Sequence, residues 1–315
     1  MENTTMENTR TKTTRNSLIL LLTAAIWGMA FVSQSKGMDY MHPFTFNGVR
    51  SLIGAASILV YILISRKIAG DKAAPLDWKL NVKAGLLCGI FLTIASTLQQ
   101  FGIKYTSVGK AGFITTLYII FVPMFGIFLK KKVAPVVWAA AVMAAVGMYL
   151  LCMTESLRLG AGDIMVFLCA IAFAIQIMTV DHYAARIDGA VVSCIQFTVC
   201  GVVCCIGALI WGQPTFGQLQ EGLGALLYAG VLSCGVGYTL QIVGQKGLNP
   251  TVAALIMSLE SVIATISGCI AYKIGYLTTD QTLTARQIAG CVIVFAAVIL
   301  VQLPPEWFRF GKKNA

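Results

Sequence analysis

Ten apolar runs, each close to twenty residues long, dominate the sequence: 17–36, 43–64, 82–103, 108–129, 134–152, 162–182, 190–211, 222–244, 250–271 and 286–303. About twenty predominantly apolar residues are what an α-helix needs to cross the hydrocarbon core of a bilayer. A segment inside that core must satisfy its own backbone hydrogen bonds, so runs of this length are expected to be helices. Only 11% of the residues are charged and 57% are hydrophobic, against about 25% charged in a soluble domain. The expected fold class is therefore an all-α integral membrane protein with ten transmembrane helices, multi-pass in the cell (inner or plasma) membrane. Short connections leave no room for a soluble catalytic domain.

The net charge of +10 has a source other than nucleic-acid binding. With the N-terminus inside, the inner segments carry Arg10, Lys12, Arg15, Arg66, Lys67, Lys72, Lys79, Lys83, Lys130, Lys131, Lys132, Arg186, Lys246, Arg309, Lys312 and Lys313. The outer segments carry only Lys36, Lys104, Lys110, Arg158, Lys273 and Arg286. Cytoplasmic loops retain Lys and Arg, so both termini are placed in the cytoplasm and no nucleic-acid partner is needed. The ten cysteines lie in or beside apolar runs, with no CxxC pair, and read as small packing residues. Residues 1–16 are polar and Thr-rich, and are expected to form a disordered cytoplasmic tail. A second tail is expected at 304–315.

An internal repeat gives the count its meaning. A shift of 142 residues lays Thr97-Leu98-Gln99 on Thr239-Leu240-Gln241, Gly102 on Gly244 and Lys104 on Lys246. In the same register Ala111, Ile114 and Leu117 fall on Ala253, Ile256 and Leu259. Chance matches of Leu, Ile and Ala are common in apolar sequence, but Thr-Leu-Gln and Gly-x-Lys in one register are not. Five spans separate the matched positions. Five is odd, so the second copy (162–303) must cross the membrane upside down relative to the first (17–152). Two inverted five-helix repeats supply two equivalent packings, each open to one side, which is the architecture of alternating-access carriers.

Polar groups at depth are the candidate site. A carboxylate at mid-bilayer costs about 2.5–3.5 kcal/mol unless it is paired, protonated or faces water. Glu260 is the acidic residue near the middle of a span, in Ala254-Leu255-Ile256-Met257-Ser258-Leu259-Glu260-Ser261. It reads either as a proton or cation site or as an interhelical packing carboxylate, with Arg50 as one available partner. Arg50 is the basic residue inside a span. It either snorkels to the interface or presents a cation to a cavity; its approximate counterpart in the other half is Gln196. Gln99 and Gln241, matched by the repeat, offer amide donors and acceptors suited to a polar solute or to each other's helices. Tyr118 occupies the register of Glu260, with Thr115 just before it. Asn47, Gln176 and the Trp27-Gly28 pair complete the set expected around a central cavity. Pro123 is expected to break the ladder of the fourth helix.

There is no HExxH, Walker loop or DDxxD motif, so no enzyme chemistry and no cofactor are expected. The expected partners are a small-molecule solute and the lipid bilayer. Protons as coupling ions and a homodimer are left open.

The run TSVGKAGFITTLYIIFVPMFGIFLKKK at 106–132 resembles the fourth helix of EamA-type members of the drug/metabolite transporter superfamily. The run YTLQIVGQKGLNPTVAALIMSLESV at 238–262 resembles the eighth and ninth helices of that family's second repeat. Ile26-Trp27-Gly28 and Val49-Arg50 fit the same pattern, and the resemblance extends over roughly 17–302. It implies a ten-helix fold around an alternately accessible cavity, and transport of amino acids, nucleobases or cationic compounds without ATP. The family contains proton-coupled carriers and passive facilitators alike, and in a channel or facilitator Glu260 would be structural. Many members end the fourth and ninth helices in Leu-Gly-Glu, whereas this chain has Phe128-Leu129-Lys130-Lys131 and Tyr272-Lys273-Ile274-Gly275.

Overall fold

A computed structural model describes residues 2–70, 75–106, 108–129, 133–152, 160–278, 280 and 282–302, with side chains among them from 12 to 300 except 151–152. The described residues contain helices and no strand. In chain order the membrane helices are α1 Glu2–Gly37, α2 Pro43–Ala69, α3 Trp78–Tyr105, α4 Val108–Phe128, α5 Pro135–Cys152, α6 Ala161–Tyr183, α7 Gly189–Gly212, α8 Leu223–Gln245, α9 Pro250–Lys273 and α10 Ala285–Gln302. Eight have apolar stretches long enough to span a bilayer; the shorter α5 and α10 hold corresponding places, last in each half.

The chain departs from expectation at its start. Helix α1 begins at Glu2, so the Thr-rich segment within 1–16 is helical, not disordered. Elongating a nucleated helix costs far less than starting one, and Asn16 anchors this extension, its Nδ2 donating to the Lys246 carbonyl at 2.7 Å. The tail expected at 304–315 lies outside the described residues. Other helix starts follow local capping rules. His42 Nδ1 accepts from the Phe44 amide before Pro43 at the first helical position, and Asp188 accepts from the amides of Ala190 and Val191. Such caps satisfy amides that a helix start leaves open.

The packing is that of a pseudo-two-fold. Helix α3 runs against α6 as α8 runs against α1; α3 meets α7 as α8 meets α2; α4 meets α6 as α9 meets α1. Helices α2 and α7 pack on each other, as do α5 and α10. The α2–α7 contact is antiparallel: Phe44 faces Gly207, Gly48 faces Cys205 and Leu52 faces Gly201. Small residues permit the closest approaches, as in other membrane helix pairs. A Cβ at Gly28 would stand 2.7 Å from the Glu260 carbonyl oxygen, so glycine is what lets α1 reach α9 at that depth.

Helices α4 and α9 are each interrupted once, between Val108–Thr116 and Tyr118–Phe128 and between Pro250–Met257 and Leu259–Lys273. The break expected at Pro123 thus falls more than a turn earlier, where Leu117 closes tight turns with Ile114 and Ile120. Pro123 sits inside a continuous helical segment. The two interruptions, at Leu117 and Ser258, bring Tyr118 and Glu260 to the same depth from opposite halves.

Candidate functional site

The Tyr118 hydroxyl donates to Glu260 Oε1 at 3.0 Å, across a separation of 142 residues. That separation equals the repeat shift. Two residues at equivalent places in the halves touch only where the pseudo-two-fold axis passes between them, so this bond marks the axis.

A cavity surrounds it, and its lining is paired by the same register. Phe31 and Phe173, Gln34 and Gln176, Leu92 and Cys234, Ser96 and Tyr238, Gln99 and Gln241, and Tyr118 and Glu260 all line it, each pair related by the repeat shift. Trp27, Arg50, Thr115 and Phe197 contribute further walls. Its volume is about 30 Å³, room for about two waters, so this conformation is closed down around the axis. Aromatic rings form one side: Tyr238 lies 4.6 Å from Trp27 and 4.9 Å from Phe197, centroid to centroid. Ser233, Cys234 and Gly237 belong to a π-helical stretch of α8, Tyr228–Gly237, a widened turn of the kind frequent at functional sites.

Of the residues singled out in the sequence, Trp27, Arg50, Gln99, Thr115, Tyr118, Gln176, Gln241 and Glu260 come together on this cavity. Asn47 does not line it. It stands behind Arg50, accepting from Arg50 Nε at 2.9 Å and donating to Ser96 Oγ at 3.1 Å and to Cys204 Sγ. Arg50 is buried at 5% exposure, so it does not snorkel. Its guanidinium lies 5.5 Å from the Phe46 ring centre, and no hydrogen bond among the described residues uses its terminal nitrogens. Nor do Arg50 and Glu260 pair: the ion pairs among the described residues are Lys36–Asp39 and Lys110–Asp163.

The amides form two unlike sets. Gln241 Nε2 donates to Gln176 Oε1 at 3.3 Å, and Gln176 Nε2 approaches Gln196 Oε1 at 3.5 Å. In the other half Gln99 Nε2 donates to Thr115 Oγ1 at 3.2 Å. Among the described residues, Gln34 Oε1, Gln241 Oε1, Gln196 Nε2 and Trp27 Nε1 are buried with no hydrogen-bond partner. Buried polar atoms are ordinarily bonded, and each one left open costs about 1–3 kcal/mol. Three of these atoms, on Trp27, Gln34 and Gln241, belong to residues that line the cavity and are available to a polar group there. Gln34, Phe31 and Phe173 were not anticipated, yet the signal was there: the same shift lays Ala30-Phe31-x-x-Gln34 on Ala172-Phe173-x-x-Gln176.

Two inverted five-helix halves around a polar cavity on their shared axis define a multi-pass membrane transporter. The model of the EamA-like transporter family matches residues 15–153 and again 160–303, and the chain belongs to that family. An "Uncharacterized transporter" of Archaeoglobus fulgidus is 27% identical over 290 residues, covering 90% of this chain and 84% of that protein. "Uncharacterized transporter YwfM" of Bacillus subtilis is 26% identical over 294 residues, covering 92% and 94%. A protein of known crystal structure shares the fold with a TM-score of 0.72 at 16% identity, over 94% of this chain and 99% of its own.

Proposed function

We propose that this chain is a secondary carrier of small zwitterionic solutes of the amino-acid type, working by alternating access with Glu260 as its proton-exchanging group. The observation that carries this reading is the pair of unlike charges on one cavity. Among the described residues, the terminal guanidinium nitrogens of Arg50 have no acceptor, Nε alone being held by Asn47, and the Glu260 carboxyl takes a single hydrogen bond, from Tyr118. A solute carboxylate suits the planar guanidinium fork. A solute ammonium suits the Glu260 carboxylate, and the orphaned amide atoms suit the remaining polar groups. Trp27, Phe197 and Tyr238 offer an apolar wall to the rest of the solute.

Movement follows from the symmetry. In an inverted repeat each half adopts the other's conformation to open the opposite side. The breaks at Leu117 and Ser258 interrupt α4 and α9 beside the Tyr118–Glu260 bond, where a hinge would act on it. Protonating Glu260 removes that bond's charge-assisted character, and an ammonium bound there competes with the Tyr118 hydroxyl for the carboxylate; either biases the two halves. The excess of basic residues in the even-numbered connections supports cytoplasmic termini.

Thermal-shift screening of the purified chain, followed by exchange in proteoliposomes, tests the reading. Neutral zwitterions are expected to stabilise the protein and to show exchange accelerated by solute on the far side. Their decarboxylated amines and deaminated acids are expected to do neither. Flux without such acceleration would replace the carrier by a channel, and equal action by the amines would remove Arg50 from recognition.

A further inference from the structure

A second cavity, about 620 Å³ in volume, opens between the end of α2, the start of α3, the α6–α7 turn and the end of α8. It lies on the side where the inner segments gather their basic residues. Three cations line it, Arg66, Arg186 and Lys246, from three different elements. Two acids line it as well, Asp77 and Asp188, but both are engaged as helix caps. Asp77 accepts from the Leu80 amide at 3.0 Å, and Asp188 from the amides of Ala190 and Val191 at 2.9 and 3.1 Å. Lys246 donates to the Ile187 carbonyl at 3.2 Å, and Arg186 makes a long contact to the His182 carbonyl at 3.5 Å. Among the described residues none of the three cations has a carboxylate partner. The starts of α3 and α7 also turn their positive helix ends toward this space.

We propose that this cavity binds a phosphate-bearing headgroup, that of an anionic phospholipid from the adjoining leaflet. Basic pockets between membrane helices on the cytoplasmic side suit such headgroups. The rim decides for a lipid over free phosphate. Tyr61 and Ile62 line the cavity, and along the same helix Leu63, Ile64 and Ile68 project outward at 61%, 54% and 81% exposure. The basic pocket is therefore continuous with an apolar helix face on which acyl chains can lie. A headgroup held here would bridge α2, which carries Arg50, to α8, which carries Tyr238 and Gln241, and so join the two halves at one end.

The full-length purified chain in neutral detergent tests this, with phosphatidylglycerol, phosphatidylcholine or inorganic phosphate added in turn. Phosphatidylglycerol is expected to raise the melting temperature by several degrees above phosphatidylcholine. The double variant Arg66→Gln/Arg186→Gln is expected to lose most of that difference, and the charge-matched control Lys273→Gln/Arg286→Gln to keep it. Equal action of the two lipids, or a full difference in the double variant, would overturn the site. Loss of the difference in the control as well would show only a net-charge effect. An equal rise with inorganic phosphate would reassign the pocket to a soluble anion. Native mass spectrometry of the wild-type chain in an equimolar lipid mixture reads the same question without a variant. Selective retention of phosphatidylglycerol supports the proposal and equal retention contradicts it.

Discussion

The two halves share a backbone and differ in the chemistry hung on it. At the axis the first half places a phenol, Tyr118, where the second places a carboxyl, Glu260. On α2 the first half buries a guanidinium near the position where α7 has the amide of Gln196. Ser96 faces the cavity from α3 where the bulky Tyr238 faces it from α8. The helix starts differ too: α2 is capped by the imidazole of His42 and α7 by the carboxylate of Asp188. Away from the cavity, Lys110 and Asp163 form a partly buried ion pair between α4 and α6, and the repeat shift puts Val252 and Leu21 at those places in α9 and α1. Symmetry supplies two states of similar shape. Asymmetry decides what binds, which ion moves with it and which state is favoured.

The largest expected effect tests the ion pair. Removing the carboxylate takes from a partly buried pair its charge-assisted hydrogen bond, a loss of about 1.5–3 kcal/mol. Asp163→Leu is expected to lower the melting temperature sharply. Lys110→Val/Asp163→Leu, which copies the other half, is expected to recover part of the loss, the remainder belonging to the Thr106 hydroxyl and Gly160 amide that Asp163 also accepts from. A double variant no better than the single would mean that Asp163 acts through the Thr106 and Gly160 hydrogen bonds and not through Lys110.

Arg50→Gln makes α2 resemble α7 at its approximate counterpart. Charge-assisted hydrogen bonds contribute about 1.5–3 kcal/mol each, so zwitterion affinity is expected to fall roughly 10-fold to 100-fold while folding is kept. Titration calorimetry or thermal-shift titration reads this, and unchanged affinity would place Arg50 in a packing role. Gly28→Ala probes the approach of α1 to Glu260, where the added methyl meets backbone. Overpacking of this kind costs about 1–3 kcal/mol. Gly112→Ala meets α9 at ordinary contact distances, 3.5 Å and beyond, and is expected to be nearly neutral.

The smallest effect concerns the caps. Burial, with Lys104 adding to it, holds His42 below its ordinary value of 6.5. The folded state prefers the neutral ring, whose Nδ1 accepts from the Phe44 amide. Stability from this cap is complete above the ordinary histidine range and falls as pH drops through it. His42→Asn is expected to flatten that dependence between pH 7 and 5, measured by thermal melts; an unchanged slope would assign it to another group.

Hydropathy and the repeat made the architecture legible, because a bilayer demands long apolar helices and duplication leaves an offset. They also gathered most of the cavity: an amide or carboxyl at mid-span has few places to be except inside. What resisted sequence reading depended on direction and neighbours. Burial of Arg50, not snorkelling, follows from Asn47, Ser96 and Cys204 converging behind it from three helices. Asn47, expected around the cavity, lies one turn from Arg50 and spends its side chain holding that arginine. Ser233 and Cys234 reach the cavity through a π-helical stretch, which shifts the facing that an α-helical period predicts. The break in α4 follows from turns at Leu117, while Pro123 is accommodated inside the helix.

The difference between Tyr118 and Glu260 carries the central claim, and flux under an imposed pH gradient tests it most directly. Wild-type proteoliposomes are expected to accumulate a zwitterionic solute against its gradient when protons flow the other way or with it. Glu260→Gln is expected to retain exchange of solute at equal pH and to lose the dependence on the gradient. Equal gradient-driven accumulation by the variant and the wild type would contradict the account and leave Glu260 as a packing residue in a carrier coupled elsewhere.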